Sequence, residues 1–193
     1  MTPPLLASLW VSLIGWTLLH CSDYALTLWT ARLLQGRAGT TIHFEGGVEL
    51  TPQFRADIDR LRRVSPRFLL ALALVLAYLA VSWVLAWEAR IPEVYRAVAG
   101  GMFLLELVVH LRHIRNLVLL KFIEGRGQPE GRLSYPRWLV LRTSSIELLS
   151  FCGLFLIIFI LSGAWETLGG AIVCGLVALR HAWWSAREPG SVA

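Results

Sequence analysis

Charge is scarce in this chain. Only 16% of its 193 residues are Asp, Glu, Lys or Arg, against about 25% in an ordinary soluble domain. Lysine is almost missing, with Lys121 the one lysine among 18 basic residues. Cysteine is sparse and odd in number, and Cys21, Cys152 and Cys174 all fall inside apolar runs, which argues against a disulfide framework or a CxxC metal site. No proline interrupts the interior of a long apolar run, so nothing in those runs breaks a helix. Long polar sequence is missing too. The longest polar connection, about Gly36 to Arg67, is too short for a second domain and excludes an attached ATPase or kinase module. The chain has no P-loop, GxGxxG, GxSxG or HExxH signature, and no internal repeat. Its first residues lack a positive n-region and a small-x-small cleavage site, and the apolar run continues past Asp23. The segment therefore reads as a retained span rather than a signal peptide.

What the chain does have is hydrophobic length. Apolar residues make up 56% of it and the mean hydropathy is +0.60. They gather in five blocks, 5–34, 68–87, 94–120, 138–161 and 168–186, each meeting the roughly 20 residues that a helix needs to cross a bilayer. Pro3 and Pro4, Pro66, Pro92 and Pro136 stand ahead of four of them, where proline suits a first helical turn. The expectation is an all-α, multi-pass membrane protein forming one membrane domain, in the cell or inner membrane.

Arginine placement orients that bundle. Arg32, Arg37, Arg55, Arg60, Arg62, Arg63 and Arg67 cluster between the first two blocks. Lys121, Arg126, Arg132 and Arg137 lie between the third and fourth, and Arg187 follows the fifth. The other side has Arg90 and Arg96, offset by Glu88, Glu93 and Glu166. The positive-inside rule then predicts an outside N-terminus and a cytoplasmic C-terminus. Trp29, Trp138, Trp183 and Trp184 fall at the inner boundary of this frame, and Trp83, Trp87 and Trp165 at the outer one. In the first cytoplasmic connection, 52–64 reads as a short amphipathic helix opened by Thr51 and Pro52. Phe54, Ile58 and Leu61 recur at i, i+4, i+7, opposite Arg55, Arg62 and Arg63. That pattern predicts a helix lying on lipid with its arginines toward anionic headgroups. The Gly125–Gly131 stretch reads as ordinary turn chemistry.

One stretch conflicts with its surroundings. Glu106, His110, Arg112, His113 and Arg115 lie within ten residues of a run that should cross the membrane, where ionisable groups are costly and mark function. At 100° per residue Glu106, His110 and His113 share a stripe about 60° wide, and Arg112 and Arg115 point away from it. The first block carries Trp16, His20, Asp23 and Thr27 at i, i+4, i+7, i+11; the fourth carries Ser144 and Glu147, and the fifth His181. Counted from each inner arginine or lysine, the acids and histidines fall roughly 9–22 Å deep at 1.5 Å per residue. Helices running in both directions thus place their strong polar groups in the same half of the membrane.

Three kinds of chemistry suit the set His20, Asp23, Glu106, His110, His113, Glu147 and His181. The first is structural, with carboxylates paired to histidines or to Arg112, Arg115, Arg142 and Arg180 to tie helices together. The second is an ion or proton pathway through staggered carboxylates and imidazoles. The third is a divalent metal on Glu106, His110 and His113 with Asp23 and Glu147, or a haem held by two histidines. The leading expectation is ion- or proton-linked transport or channel activity by a homo-oligomer or a subunit of a membrane complex. A membrane-embedded metal- or haem-dependent enzyme acting on a lipid or quinone-like substrate is the alternative, and a purely structural subunit the second. The arginine bias suits anionic lipid rather than nucleic acid.

Overall fold

The computed structural model describes residues 8–36, 38–45, 52–126, 131–188 and 190. Seven helices and two short strands follow in order: α1 (Leu9–Gln35), α2 (Ala38–Thr41), β1 (Ile42–Phe44), α3 (Pro52–Asp59), α4 (Pro66–Glu88), α5 (Pro92–Arg126), β2 (Leu133–Tyr135), α6 (Arg137–Ser162) and α7 (Trp165–Ser185). The chain is thus predominantly helical, and each long helix coincides with one of the five apolar blocks. Three of them, Pro66–Glu88, Pro92–Gly125 and Arg137–Ser162, are long and apolar enough to cross a membrane. α1 and α7 reach 27 and 21 residues, and polar residues such as His20, Ser22, Asp23, Arg180 and His181 dilute their apolar character.

Local chemistry sets the boundaries. The Ser65 hydroxyl caps α4 by accepting from the Phe68 amide, with Pro66 in the first turn, where its missing N–H has no helical partner to lose. α6 ends at Gly163, whose φ of 68° lies in the left-handed region, and glycine adopts it without the Cβ penalty.

α5 is the spine. One of its faces packs against α1 and α4 through Trp16, Leu79, Ala86, Tyr95 and Ala99. Its opposite face meets α7 and α6 through Val108, Leu148, Phe155, Ala171, Cys174 and Ala178. The α5–α7 crossing is close because glycine faces glycine: a Cβ on Gly169 would fall onto the Ala97 carbonyl, and one on Gly101 would come 2.7 Å from the Gly169 carbonyl oxygen. Small residues at such a crossing let two backbones pack tightly. Arg96 and Glu166 pin its end with bonds of 2.7 and 2.9 Å. Leu70, Leu74, Tyr78, Val81 and Leu85 on α4, and Leu149, Ile157, Ile160 and Leu161 on α6, are left exposed.

Both arginine-rich connections lie at one end of the bundle. β1 and β2 pair there in parallel, Ile42 opposite Leu133 and Phe44 opposite Tyr135, and the Phe44 and Tyr135 rings stack 5.2 Å apart. The segment read as turn chemistry is therefore followed directly by a paired strand. At 35 residues, α5 is about 52 Å long, well beyond the roughly 30 Å of hydrocarbon. One face of its last turns is covered by protein, where Leu120 and Ile123 pack with Ala38 and Ile42, and Val118 and Phe122 on the other face are exposed.

The amphipathic segment departs from expectation. The helix stops at Asp59, and Leu61 takes a φ of 50°. Its apolar face, assigned to lipid by the sequence pattern, lies on the bundle instead: Ile58 is 1% exposed and packs with Tyr24, Leu28, Ala31 and Phe68, flanked by Phe54 and Leu61. The pattern identified an apolar face correctly, but periodicity cannot say whether lipid or protein covers it. Buried Asp57 fixes the dock, receiving the Ser65 hydroxyl and the Arg62 guanidinium, and Tyr24 donates to the Arg62 carbonyl. Arg55 pairs with Asp59. The Thr51 cap, Gly46-Gly47, Arg37 and residues 5–7 of the first block lie outside the described residues.

Candidate functional site

A cavity of about 310 Å³ runs from the middle of the bundle toward the strands. α1 lines it with Trp16, His20, Asp23 and Thr27, the stripe expected from their i, i+4, i+7, i+11 spacing. α5 contributes Leu105, Glu106, Val109, Arg112, His113 and Asn116, and α7 contributes Val177, Arg180 and His181. α6 adds only the apolar Val140 and Leu148, while Phe44 of β1 and Phe54 of α3 complete the wall at the strand end. At its other end the lining reaches mid-bundle, where Trp16 packs on Phe103 beside the Tyr95 and Ala99 cluster.

Five of the seven residues singled out in the sequence share this wall, namely His20, Asp23, Glu106, His113 and His181. Asp23 and His113 face each other across α1 and α5, 3.1 Å apart, and the Thr27 hydroxyl lies 3.3 Å from the same imidazole nitrogen. His20 is stacked between Trp16 at 5.8 Å and Phe68 at 4.8 Å. His181 is buried, its Nδ1 2.8 Å from the Ser144 hydroxyl. Beside it the Ser145 hydroxyl donates to the Ala178 carbonyl and that of Ser185 to the Trp138 carbonyl, so α6 holds α7 in register under the cavity.

Glu106 stands apart from the other acids. It is 8% exposed, and its Oε1 has no hydrogen-bond partner among the described residues. A carboxylate removed from water without a donor is costly, so it needs a proton, a cation or a ligand group. Three further buried atoms of lining residues, His20 Nε2, His113 Nδ1 and Arg112 Nη2, also have no hydrogen-bond partner among the described residues. These are groups a polar ligand can satisfy.

The other two expected residues sit elsewhere. Glu147 does not line the cavity. It receives Arg112 Nε at 2.8 Å and Arg115 Nη1 at 3.2 Å, which makes it a clamp between α5 and α6 and removes it from any metal set. His110 lies behind the wall between α5 and α1, with Nδ1 2.7 Å from the Glu106 carbonyl oxygen and Nε2 2.7 Å from the Ser22 hydroxyl. Arg112, expected to point away, reaches the cavity because the lined face of α5 centres on Leu105, Val109, Arg112 and Asn116 rather than on the 106–110–113 stripe. Arg180 lies over the Trp184 ring at 4.9 Å, and Arg142 is exposed. The sequence reading missed Phe44, Phe54, Asn116 and Ser22. Asn116 continues the Val109–Arg112 face at i+7 and i+4 and was within reach of periodicity; Phe44 arrives on a three-residue strand that no helical period describes, and Phe54 belonged to the α3 pattern but was assigned to lipid.

The fold and cavity define a predominantly helical chain with three helices long and apolar enough to cross a membrane and a polar cavity lined by four of the five long helices. No protein-family model, curated protein or solved structure matches it.

Proposed function

We propose that this chain is a multi-pass membrane protein of five spanning helices, N-terminus outside and C-terminus cytoplasmic, whose cavity binds an ion taken from the cytoplasmic side for ion-linked transport. The observation carrying this reading is Glu106, a buried carboxylate with an unmatched oxygen, set beside Asp23 in a cavity that extends from mid-bundle toward the arginine-rich end. Intramembrane carboxylates of this kind mark ion pathways, because the group lacks a permanent partner and can exchange a transient one. The packed glycine crossing at the far end supports an inward-facing state rather than an open channel. Anionic lipid at the arginine-rich end and self-association in the membrane belong to the same reading.

A second reading has its own support. Arg112 and Arg180 face the same cavity as the carboxylates, and guanidinium groups hold anionic substrates in fixed geometry. This favours a metal-dependent enzyme acting on an anionic amphiphile from the inner leaflet.

Flux across proteoliposome membranes tests the first reading. Purified protein should carry protons or metal cations down an imposed gradient, and Glu106→Gln and Asp23→Asn should each reduce that flux to the level of empty vesicles. Wild-type vesicles that pass neither protons nor cations would remove transport and leave the enzymatic reading.

A further inference from the structure

We infer that Asp23, Glu106 and His110 form a binding site for one divalent transition-metal ion, such as Zn²⁺ or Mn²⁺, with coordination positions left open toward the cavity. The inference rests on the reading that the cavity takes a cation, and it names the cation and its ligands.

The geometry comes first. One ligand atom from each of these three residues lies within 4.8 Å of the other two, so a modest tightening brings all three to a shared ion at the roughly 2.0–2.2 Å typical of Zn–N and Zn–O bonds. The ligands come from two helices that already pack together, and Glu106 and His110 occupy i and i+4 of α5, one above the other on a helix face. Two carboxylates and one imidazole suit a borderline metal ion better than an alkali cation or a thiolate-seeking metal. Three protein ligands leave the remaining positions for water or substrate, the pattern of a working rather than a purely structural metal site.

Hydrogen-bond accounting around His110 supplies the second argument. Nδ1 faces a backbone carbonyl, which can only accept, so Nδ1 carries the proton. In the neutral ring Nε2 then holds a lone pair 2.7 Å from the Ser22 hydroxyl, whose single proton is shared between that lone pair and the Leu19 carbonyl at 2.8 Å. Metal-bound histidines typically donate their second ring nitrogen to a carbonyl or carboxylate, which fixes the tautomer and aims the lone pair. His110 has that arrangement in place, with Ser22 on the lone pair that a metal would take. Glu106 adds an independent pointer: it is more than nine-tenths buried, with an unmatched oxygen at the cavity wall. A divalent ion is the partner that oxygen lacks.

The surrounding charges are compatible with a cation. Glu147 offsets one of the two positive charges of Arg112 and Arg115, and Asp23 and Glu106 supply the negative charge that faces the remaining one and Arg180. Asp23 also faces His113, and a carboxylate has enough lone pairs to serve a histidine and a metal together. His113 then stands as the outer partner that orients Asp23.

Equilibrium dialysis of the chelator-stripped, detergent-purified full chain against Zn²⁺ and Mn²⁺, with elemental analysis, tests the site, and Co²⁺ absorption reports ligand type. One equivalent per chain of at least one of these ions is expected. Asp23→Asn and Glu106→Gln should each lose that equivalent, and His110→Ala should both lose it and alter the Co²⁺ spectrum. Should His110→Ala fail to fold, Ser22→Ala serves instead: it frees Nε2, so affinity should hold or rise. His43→Ala, at an exposed histidine, should leave the stoichiometry at one. Absence of a stoichiometric ion in the wild type, or one indifferent to Asp23→Asn and Glu106→Gln, overturns the inference. Bound metal without flux keeps this site and removes transport, whereas proton flux without bound metal removes this site and keeps transport.

Discussion

Glu106 and Glu147 look alike in the sequence, one acid each in an apolar helix, and the fold gives them opposite situations. Glu147 satisfies two arginines, and Arg112, its closer partner, is 14% exposed. Breaking a largely buried ion pair from one side leaves an uncompensated charge and costs roughly 3 kcal/mol or more. Glu147→Gln should therefore lower the thermal unfolding midpoint measured in detergent. Glu106→Gln should leave that midpoint unchanged or raise it, because the unmatched oxygen has no partner to lose. Equal destabilisation by both substitutions would mean that Glu106 is a structural tie whose partner lies elsewhere. At this scale the sequence was informative about which residues matter and less so about what each does. Angular arithmetic placed Trp16, His20, Asp23 and Thr27 on one wall because α1 is regular and its side chains are short enough to stay where their Cβ atoms point. It misjudged Arg112, because the face of α5 that meets the cavity centres on Leu105, Val109 and Asn116 and carries Arg112 with it, and it could not see that Glu147 was already taken.

Helix identity was legible because burial in lipid or protein demands long apolar runs, and the prolines ahead of Pro66–Glu88, Pro92–Arg126 and Arg137–Ser162 marked where they begin. The short elements were not. β1 and β2 are three residues each, and strands that short carry no period of their own; they exist because two distant connections meet. The α3 pattern was visible, but its partner was chosen by Asp57, Ser65 and Tyr24, contacts that only the folded chain supplies. The glycine pairs at 100–101 and 169–170 make a sharp test of how closely α5 and α7 cross. Gly169→Ala should force α5 and α7 apart at the Ala97 carbonyl and destabilise by roughly 1–3 kcal/mol. Gly153→Ala is the control: no atom lies within 4 Å of the added methyl, and replacing a mid-helix glycine should stabilise by about 0.5–1 kcal/mol. If Gly169→Ala melts like the wild type while Gly153→Ala does not, the crossing is looser than the structure has it.

For the whole molecule, the decisive relation is between the strand pair and the membrane. Residues 36–65 and 126–136 join different helix pairs, yet the β1–β2 pairing puts them at one end of the bundle, so both must emerge on the same side. The same two connections hold 7 of the 17 arginines, and Arg32, Arg67 and Arg137 stand at their edges. The bilayer favours positive charge on the cytoplasmic side during insertion, so charge bias and strand pairing are independent constraints that agree on one grouping of loops. The cation–aromatic pairs fit that boundary, with Lys121 over Trp29 at 4.2 Å and Arg187 over Trp183 at 3.5 Å. Single cysteines in a background lacking Cys21, Cys152 and Cys174 can read the arrangement directly. In intact right-side-out cells or vesicles, Glu88→Cys should react with a membrane-impermeant maleimide, while His43→Cys and Ser134→Cys, which are register partners, should react only after permeabilisation. Labelling of His43→Cys and Ser134→Cys from opposite sides would break the fold itself. Labelling of all three with the sides exchanged would keep the fold and invert the protein, placing the cavity mouth outside. An ion or substrate would then have to come from the exterior, and the cytoplasmic loading of the proposed cycle would fall with it.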